Sequence, residues 1–152
     1  MHCPGNSPVR LAPFEILVEN RYRDIETQNP ALGRNLSAAD PDEMRAWYDN
    51  GQVHAIAAQD RTVGCLAVAP GAIEWIEGYE IKEEVITTTH TGNGYADAAQ
   101  AVWAADCPAP DRLVIGTIDG RNIASRRTAE PAGRKPVLAY VFLKLPVEQG
   151  RQ

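Results

Sequence analysis

The stretch that most limits what this chain can fold into spans residues 83–105. A strand-like run, "EEVITTT" (83–89), passes through His90-Thr91-Gly92-Asn93-Gly94 into "YADAAQAVWAA", which contains no further breaker. Tyr95, Ala98, Ala99, Val102 and Trp103 recur at i, i+3, i+4, i+7 and i+8, an apolar stripe that a helix must turn toward a core. A helix opens with backbone N–H groups that lack intrahelical partners, and it carries partial positive charge there. Glycines directly before it allow positive φ and close approach of a ligand. A strand, a Gly-Asn-Gly corner and an apolar helix therefore make a cradle for phosphate oxygens. Taken alone, the same residues equally fit a turn whose glycines serve geometry only. No Gly-Lys-Ser/Thr follows, so it is not a P-loop. Gly92 and Gly94 begin a Gly-x-Gly-x-x-Gly pattern, but Asp97 stands at its third position.

The rest of the chain supplies a sheet for this corner. "FEILVENRYRDIE" (14–26) places Phe14, Leu17, Val18 and Tyr22 near one face of a helix, although Phe14–Val18 would also suit a strand. "TQNPALGRNLS" (27–37) reads as loop. A helix starts at Ser37 or Asp40, with Pro41 at its first position and Glu43 three residues after Asp40. Met44, Trp47 and Tyr48 form its apolar face, and Gly51 ends it. "QVHAIAAQD" and "TVGCLAVAP" are strands joined tightly at Asp60-Arg61. "AIEWIEGYEI" and "EEVITTT" follow as one interrupted strand or two. After the 94–105 helix, "RLVIGTID" is a short strand of the fully buried kind. "NIASRRTAEPAG" is a helix closed by Gly133, with a shortened or kinked end expected at Pro131, which removes one donor, and "PVLAYVFLKL" (136–145) is a last strand, apolar along both faces. Trp75 and Trp103 read as core. The order predicts an α/β (α+β) chain with a mixed, mostly antiparallel central sheet flanked by helices, one domain over residues 1–152. Residues 1–13, with three prolines, read as a disordered lead.

Charge and cysteine usage narrow the partners. A formal net charge of −5 argues against nucleic acid, which needs a basic face. The one basic cluster, Arg121, Arg126, Arg127, Arg134 and Lys135, is local and reads as a solvated face. No apolar run approaches the roughly 20 residues that span a bilayer, and "MHCPGNSPVR" lacks the pattern of a signal peptide. Cys3, Cys65 and Cys107 are odd in number and scattered, which suits a reduced, cytoplasmic chain. His2, His54 and His90 show no ligand spacing, so no metal is expected.

"HTGNGYADAAQ" resembles the acyl-CoA pyrophosphate loop of the GCN5-related N-acetyltransferases, Arg/Gln-x-x-Gly-x-Gly/Ala. Thr91 stands at the Arg/Gln position, Gly94 at the middle glycine and Ala96 at the last. "GTIDGRNIASRRTAEPAGR" resembles the second CoA element of that family, in which an Asn opens a helix, Ala-Ser follows and a Gly closes about 11 residues on. Asn122, Ala124, Ser125 and Gly133 match it. The resemblance covers roughly residues 53–145. It implies that the backbone of Ile86 and Thr87 pairs with the pantetheine arm where the strand splays from its neighbour. It also implies that the amides of Gly92, Asn93, Gly94, Tyr95 and Ala96 hold the pyrophosphate. Asn122 then reaches the pantetheine or acyl end, and Arg126 or Arg127 approaches the ribose phosphate. The chain departs from the family at Thr91 and at Ala129, seven residues after Asn122, where many members carry a Tyr that protonates the leaving thiolate.

The implied function is acyl-CoA-dependent N-acyl transfer, with acetyl-CoA as donor. The acceptor is a primary amine, on a small molecule or a protein N-terminus, that attacks the thioester directly. The base would be Glu84, then Glu80, which share a face if their strand is continuous, whereas Glu83 points the other way. The same carboxylates also fit the surface of an edge strand. The missing Arg/Gln and Tyr leave a second reading, a degenerate CoA-binding regulator or scaffold. A nucleotide-phosphate binder is a third. A homodimer through the apolar last strand is also expected.

Overall fold

The structure is a computed structural model that describes residues 11–107, 109 and 111–143. Helix α1, Ala12–Gln28, starts with Pro13 in its first turn and buries Phe14 and Val18, so Phe14–Val18 is helical. The expected lead thus gives way to helix by Ala12. The 27–37 segment is not all loop: Pro30–Gly33 forms a one-turn helix, α2. Asn29 caps it by accepting from the Leu32 N–H, and Pro30 occupies a position where no N–H is needed. Helix α3, Pro41–Asp49, is capped by the Asp40 carboxylate and buries Met44 and Tyr48. Among the described residues no helix is long and apolar enough to cross a membrane.

Three antiparallel strands follow: β1 (Val53–Ala58), β2 (Arg61–Ile73) and β3 (Ile76–Ile86). Gln59 and Asp60 both have positive φ, 48° and 61°, the backbone of a tight hairpin whose twist matches its strands. The second turn falls at Glu74-Trp75, so β3 is one continuous strand, and Trp75 is exposed at the hairpin tip instead of in the core. A 3₁₀ turn at Thr88–His90 leads to α4, Tyr95–Ala105. Strand β4, Leu113–Ile115, then pairs parallel to β3, and α5 spans Ile123–Ala129. The sheet order is β1-β2-β3-β4. This is the mixed, mostly antiparallel sheet with flanking helices that the element order predicts.

The sheet buries a different set of side chains on each face. Cys65, Ala67, Val53 and Val85 meet Phe14, Val18, Met44 and Tyr48 from α1 and α3. Ile56, Val63, Leu66, Val68 and Ile86 meet Tyr95, Ala96, Ala99 and Trp103 from α4. Each fully buried large side chain contributes about 1.5–3 kcal/mol. Trp103 packs edge-on to Tyr79, with ring centroids 5.1 Å apart. Its indole N–H donates to His54 Nε2 at 3.1 Å, and burial lowers the His54 pKa, favouring the neutral ring that can accept.

Two expectations fail at the β4 edge of the sheet. Strand β4 has three residues instead of eight, and Leu113 is exposed. Residues 136–143 form no strand, and residues 144 and 145 lie outside the described ones. With no strand beyond it, β4 is covered on one edge only. Helix α5 stops at Ala129, ahead of Pro131, which has no N–H to continue the ladder.

Candidate functional site

A bulge decides which carboxylates can work together. The register pairs Ala67 with Glu83 and Val68 with Ile81, leaving Lys82 as the extra residue of β3. Glu84 therefore lies opposite Leu66, on the α4 face, whereas Glu80 lies opposite Ala69, on the other. The expectation that Glu80 and Glu84 share a face is corrected, because Lys82 interrupts the alternation on which it rested. Glu80 pairs with the Lys82 ammonium. Glu83 is 5% exposed and fully engaged: it accepts from Tyr22 Oη at 3.0 Å, the Ala39 N–H at 3.1 Å and the Glu84 N–H at 3.1 Å. It ties α1 and the α3 approach to β3.

Glu84 has a different environment. Gln100 of α4 donates its amide N–H₂ to both carboxylate oxygens, at 3.0 and 2.8 Å. Burial pushes the Glu84 pKa up to about 7; the Gln100 bond and the charge of Arg134 oppose that rise, while Asp97 and Glu83 add to it. Arg134 reaches the region from the turn that follows α5. A Cβ on Gly116 would stand 2.7 Å from its Nη1 and 3.7 Å from Ile81 Cβ, so the guanidinium lies where β3 and β4 part. Their pairing ends at Glu80 and Ile115. Beyond that point the β4-facing edge of β3 has no strand partner among the described residues, and Glu84 is four residues into this open stretch.

The same edge continues toward the glycine corner. The Thr87 N–H donates to Val63 O and its carbonyl accepts from the His90 N–H, both at 2.8 Å. Its backbone is thus already engaged within the protein, which corrects the expectation that Thr87 pairs with a pantetheine arm. Because successive residues of a strand address opposite edges, Ile86 turns its N–H and C=O away from β2, toward the open side. Gly92 and Gly94 have φ of 79° and 76°, and a Cβ on Gly92 would meet nothing within 4 Å. Among the described residues, none of the N–H groups of Gly92, Asn93, Gly94, Tyr95 and Ala96 donates to a protein acceptor. The Thr91 hydroxyl folds back onto Thr88 O at 2.9 Å, and the Asn93 amide onto His90 O at 3.1 Å. An open cleft of about 510 Å³ beside the corner is lined by Ala58, Gln59, Arg61, His90, Asn93 and Tyr95. Asp97, in the first turn of α4, places one negative charge near Gly94.

The second motif is built differently. Asn122 caps α5, its Oδ1 accepting from the Ser125 N–H at 3.1 Å, so Ser125 contributes to the cap. Arg126 is exposed. Ala129 is buried, so the position where the resembling family carries a Tyr faces the interior with only a methyl. Gln100 was not among the residues singled out from sequence, and Arg134 was read there only as part of a solvated basic face, whereas it is partly buried. The apolar stripe put Ala98 and Val102 inward, but both are exposed, and α4 instead presents Tyr95, Ala96, Ala99, Gln100 and Trp103. The one available signal was a lone long amide in an alanine-rich helix.

A scan of protein-family models finds no match, and none of the curated proteins matches this sequence. Solved structures do. An aminoglycoside antibiotic 6'-N-acetyltransferase from Acinetobacter haemolyticus superposes with a TM-score of 0.59 over 94% of this chain and 97% of its own, at 12% identity. An aminoglycoside acetyltransferase from an uncultured soil metagenomic sample gives 0.58 over 93% of each chain, at 11% identity. A possible acetyltransferase from Clostridium difficile 630 gives 0.56 over 91% and 95%, at 10% identity. Sequence identity is near background while the order and packing of elements are shared, and the chain has the fold of the GCN5-related N-acetyltransferases.

Proposed function

We propose that this protein transfers an acetyl group from acetyl-CoA to a primary amine, with Glu84 as the base. One observation carries the reading: a half-buried carboxyl with its pKa raised to about 7 stands on β3 past the point where β4 leaves it. A base works best when its pKa lies near the operating pH, and burial has brought this one there. Glu84 takes the proton from the amine, directly or through a water. The freed lone pair attacks the thioester carbon, and the C–S bond breaks. Ala129 offers no hydroxyl to the departing thiolate, which takes its proton from water. Ile86 supplies backbone groups to the donor's arm, and the amides of Gly92 to Ala96 meet its diphosphate. Arg61, in the adjoining cleft, offsets the Asp97 charge near that anion. The acceptor is a small-molecule amine, in keeping with the names of the aminoglycoside acetyltransferases that share the fold.

Ala129 also favours a second reading, a protein that binds CoA without turnover. A thiol-release assay over a panel of amines, run beside thermal-shift measurements with CoA, ATP and NAD, separates the possibilities. The expected result is stabilisation by CoA alone together with thiol release. Stabilisation by ATP or NAD alone removes the proposal, and CoA binding with no release over the whole panel favours the binder.

The proposed assembly is a dimer. Val137, Tyr140, Val141, Phe142 and Leu143 are all more than half exposed, with Phe142 at 93%. A run of this apolarity is stable in water only when covered, and a second copy is the proposed cover. Light scattering at micromolar concentration is expected to give twice the chain mass; a monomer throughout would remove the dimer.

A further inference from the structure

Gln100 is 4% exposed, on an alanine-rich helix whose one other polar residue is Asp97 in its first turn. A buried amide is costly unless its groups are bonded. Its N–H₂ is bonded twice over, to both oxygens of Glu84, yet its own Oε1 is buried with no partner. This asymmetry suits a neighbour that changes state. A carboxylate only accepts, so it takes the N–H₂ end; a carboxylic acid has one O–H to give, and the amide Oε1 is the acceptor within reach once the amide turns over.

We propose that Gln100 is the positioning residue of Glu84, a single amide that donates to the carboxylate and, reversed end for end, accepts from the carboxylic acid, holding the group in one place through both protonation states. The inference rests on the reading of Glu84 as the base, but its structural part stands apart from turnover. The other charged groups around Glu84 are Arg134 in the β3–β4 divide, Asp97 on the first turn of α4 and the neighbouring Glu83. Arg134 steadies the carboxylate through space, and Asp97 and Glu83 favour the acid. Gln100 alone has both a donor and an acceptor.

The test is an NMR titration of the whole chain with ¹³C-labelled glutamate side chains, with the Glu84 signal assigned by its loss in Glu84→Gln. In Gln100→Met, which keeps the volume and removes both polar ends, the Glu84 midpoint is expected to rise by about one pH unit, because the bonds lost from the carboxylate are stronger than the single bond lost from the acid. An unchanged midpoint in a folded variant overturns the proposal. The wild-type protein provides a measurement that needs no variant: the Gln100 side-chain N–H₂ resonance is expected to move with the Glu84 midpoint, and an amide blind to that titration also overturns it. The acid limb of thiol release tests the other reading separately. If the midpoint moves in Gln100→Met and the acid limb does not, Gln100 keeps its role and Glu84 loses its place as the base.

Discussion

Glu84→Gln is expected to cut thiol release at neutral pH by about 10²–10⁴-fold, the usual range for removing a positioned base, with CoA affinity nearly intact. The same substitution is expected to stabilise the protein at alkaline pH. The Glu84 carboxyl is raised from its ordinary 4.5 to about 7, burial being the largest cause. Between those values the folded state holds a proton that the unfolded state has released. The stability this group contributes is therefore fully present below about pH 4.5 and is lost as pH rises to about 7. Over that window the cost of ionising the buried group amounts to about 3 kcal/mol. A glutamine never ionises, and its N–H₂ meets the unpartnered Oε1 of Gln100. Urea denaturation at about pH 4.5 and about pH 8.5 should show the variant gaining on the wild type only at the higher pH. Parallel stability profiles would mean that Glu84 is solvated, and a wild-type rate would return it to the surface carboxylates. A residue whose ionisation weakens the fold at neutral pH is what a tuned active-site group looks like.

How much of this was legible in the sequence depended on whether a residue's role was local. Caps and turns act within a few residues, so Asp40 with Pro41, the 94–105 helix and the shortened end at Pro131 could be read directly. The Gly-Asn-Gly corner was legible for the same reason, since two positive-φ glycines before a helix leave little choice of geometry. Two features missed at the site come from non-local facts. Lys82 is an unremarkable lysine in the sequence, and only its lack of a partner on β2 reveals the bulge that parts Glu80 from Glu84. Gln100 is polar, so periodicity assigned it to water. It is buried because Glu84, sixteen residues earlier, needs a donor. The last strand failed for the opposite reason: its apolar pattern is real, but the surface that would cover it is not within this chain's described residues.

Gly94→Val tests the corner itself and is expected to abolish the response to CoA. Gly94 holds φ at +76° as the residue before α4, a conformation that a β-branched side chain reaches only with strain. Relief of that strain would turn the amides of Asn93 to Ala96 away from a common point, and a valine side chain would stand over it. The Asp97 carboxylate, 3.4 Å from where the Cβ would be, is in ordinary contact with it, so backbone strain and the added methyls, not a clash, carry the effect. The cost to folding is about 1–3 kcal/mol, so a lower melting temperature alone says nothing about the ligand. The informative quantity is the shift that CoA adds. At one hundred times its Kd, CoA stabilises the wild type by about 2.7 kcal/mol, and in the variant that increment is expected to vanish. Gly51→Val provides the matched control: Gly51 has φ of +69°, lies in the turn after α3, and has nothing within 4 Å of a Cβ. It carries the same kind of strain away from the corner, so it is expected to lose stability while keeping the full CoA shift. A Gly94→Val protein that still gains the full increment would show that the diphosphate, if bound, sits elsewhere. The amides of 92–96 would then be merely a helix start, and the acetyl-transfer reading would lose the contact that holds its donor.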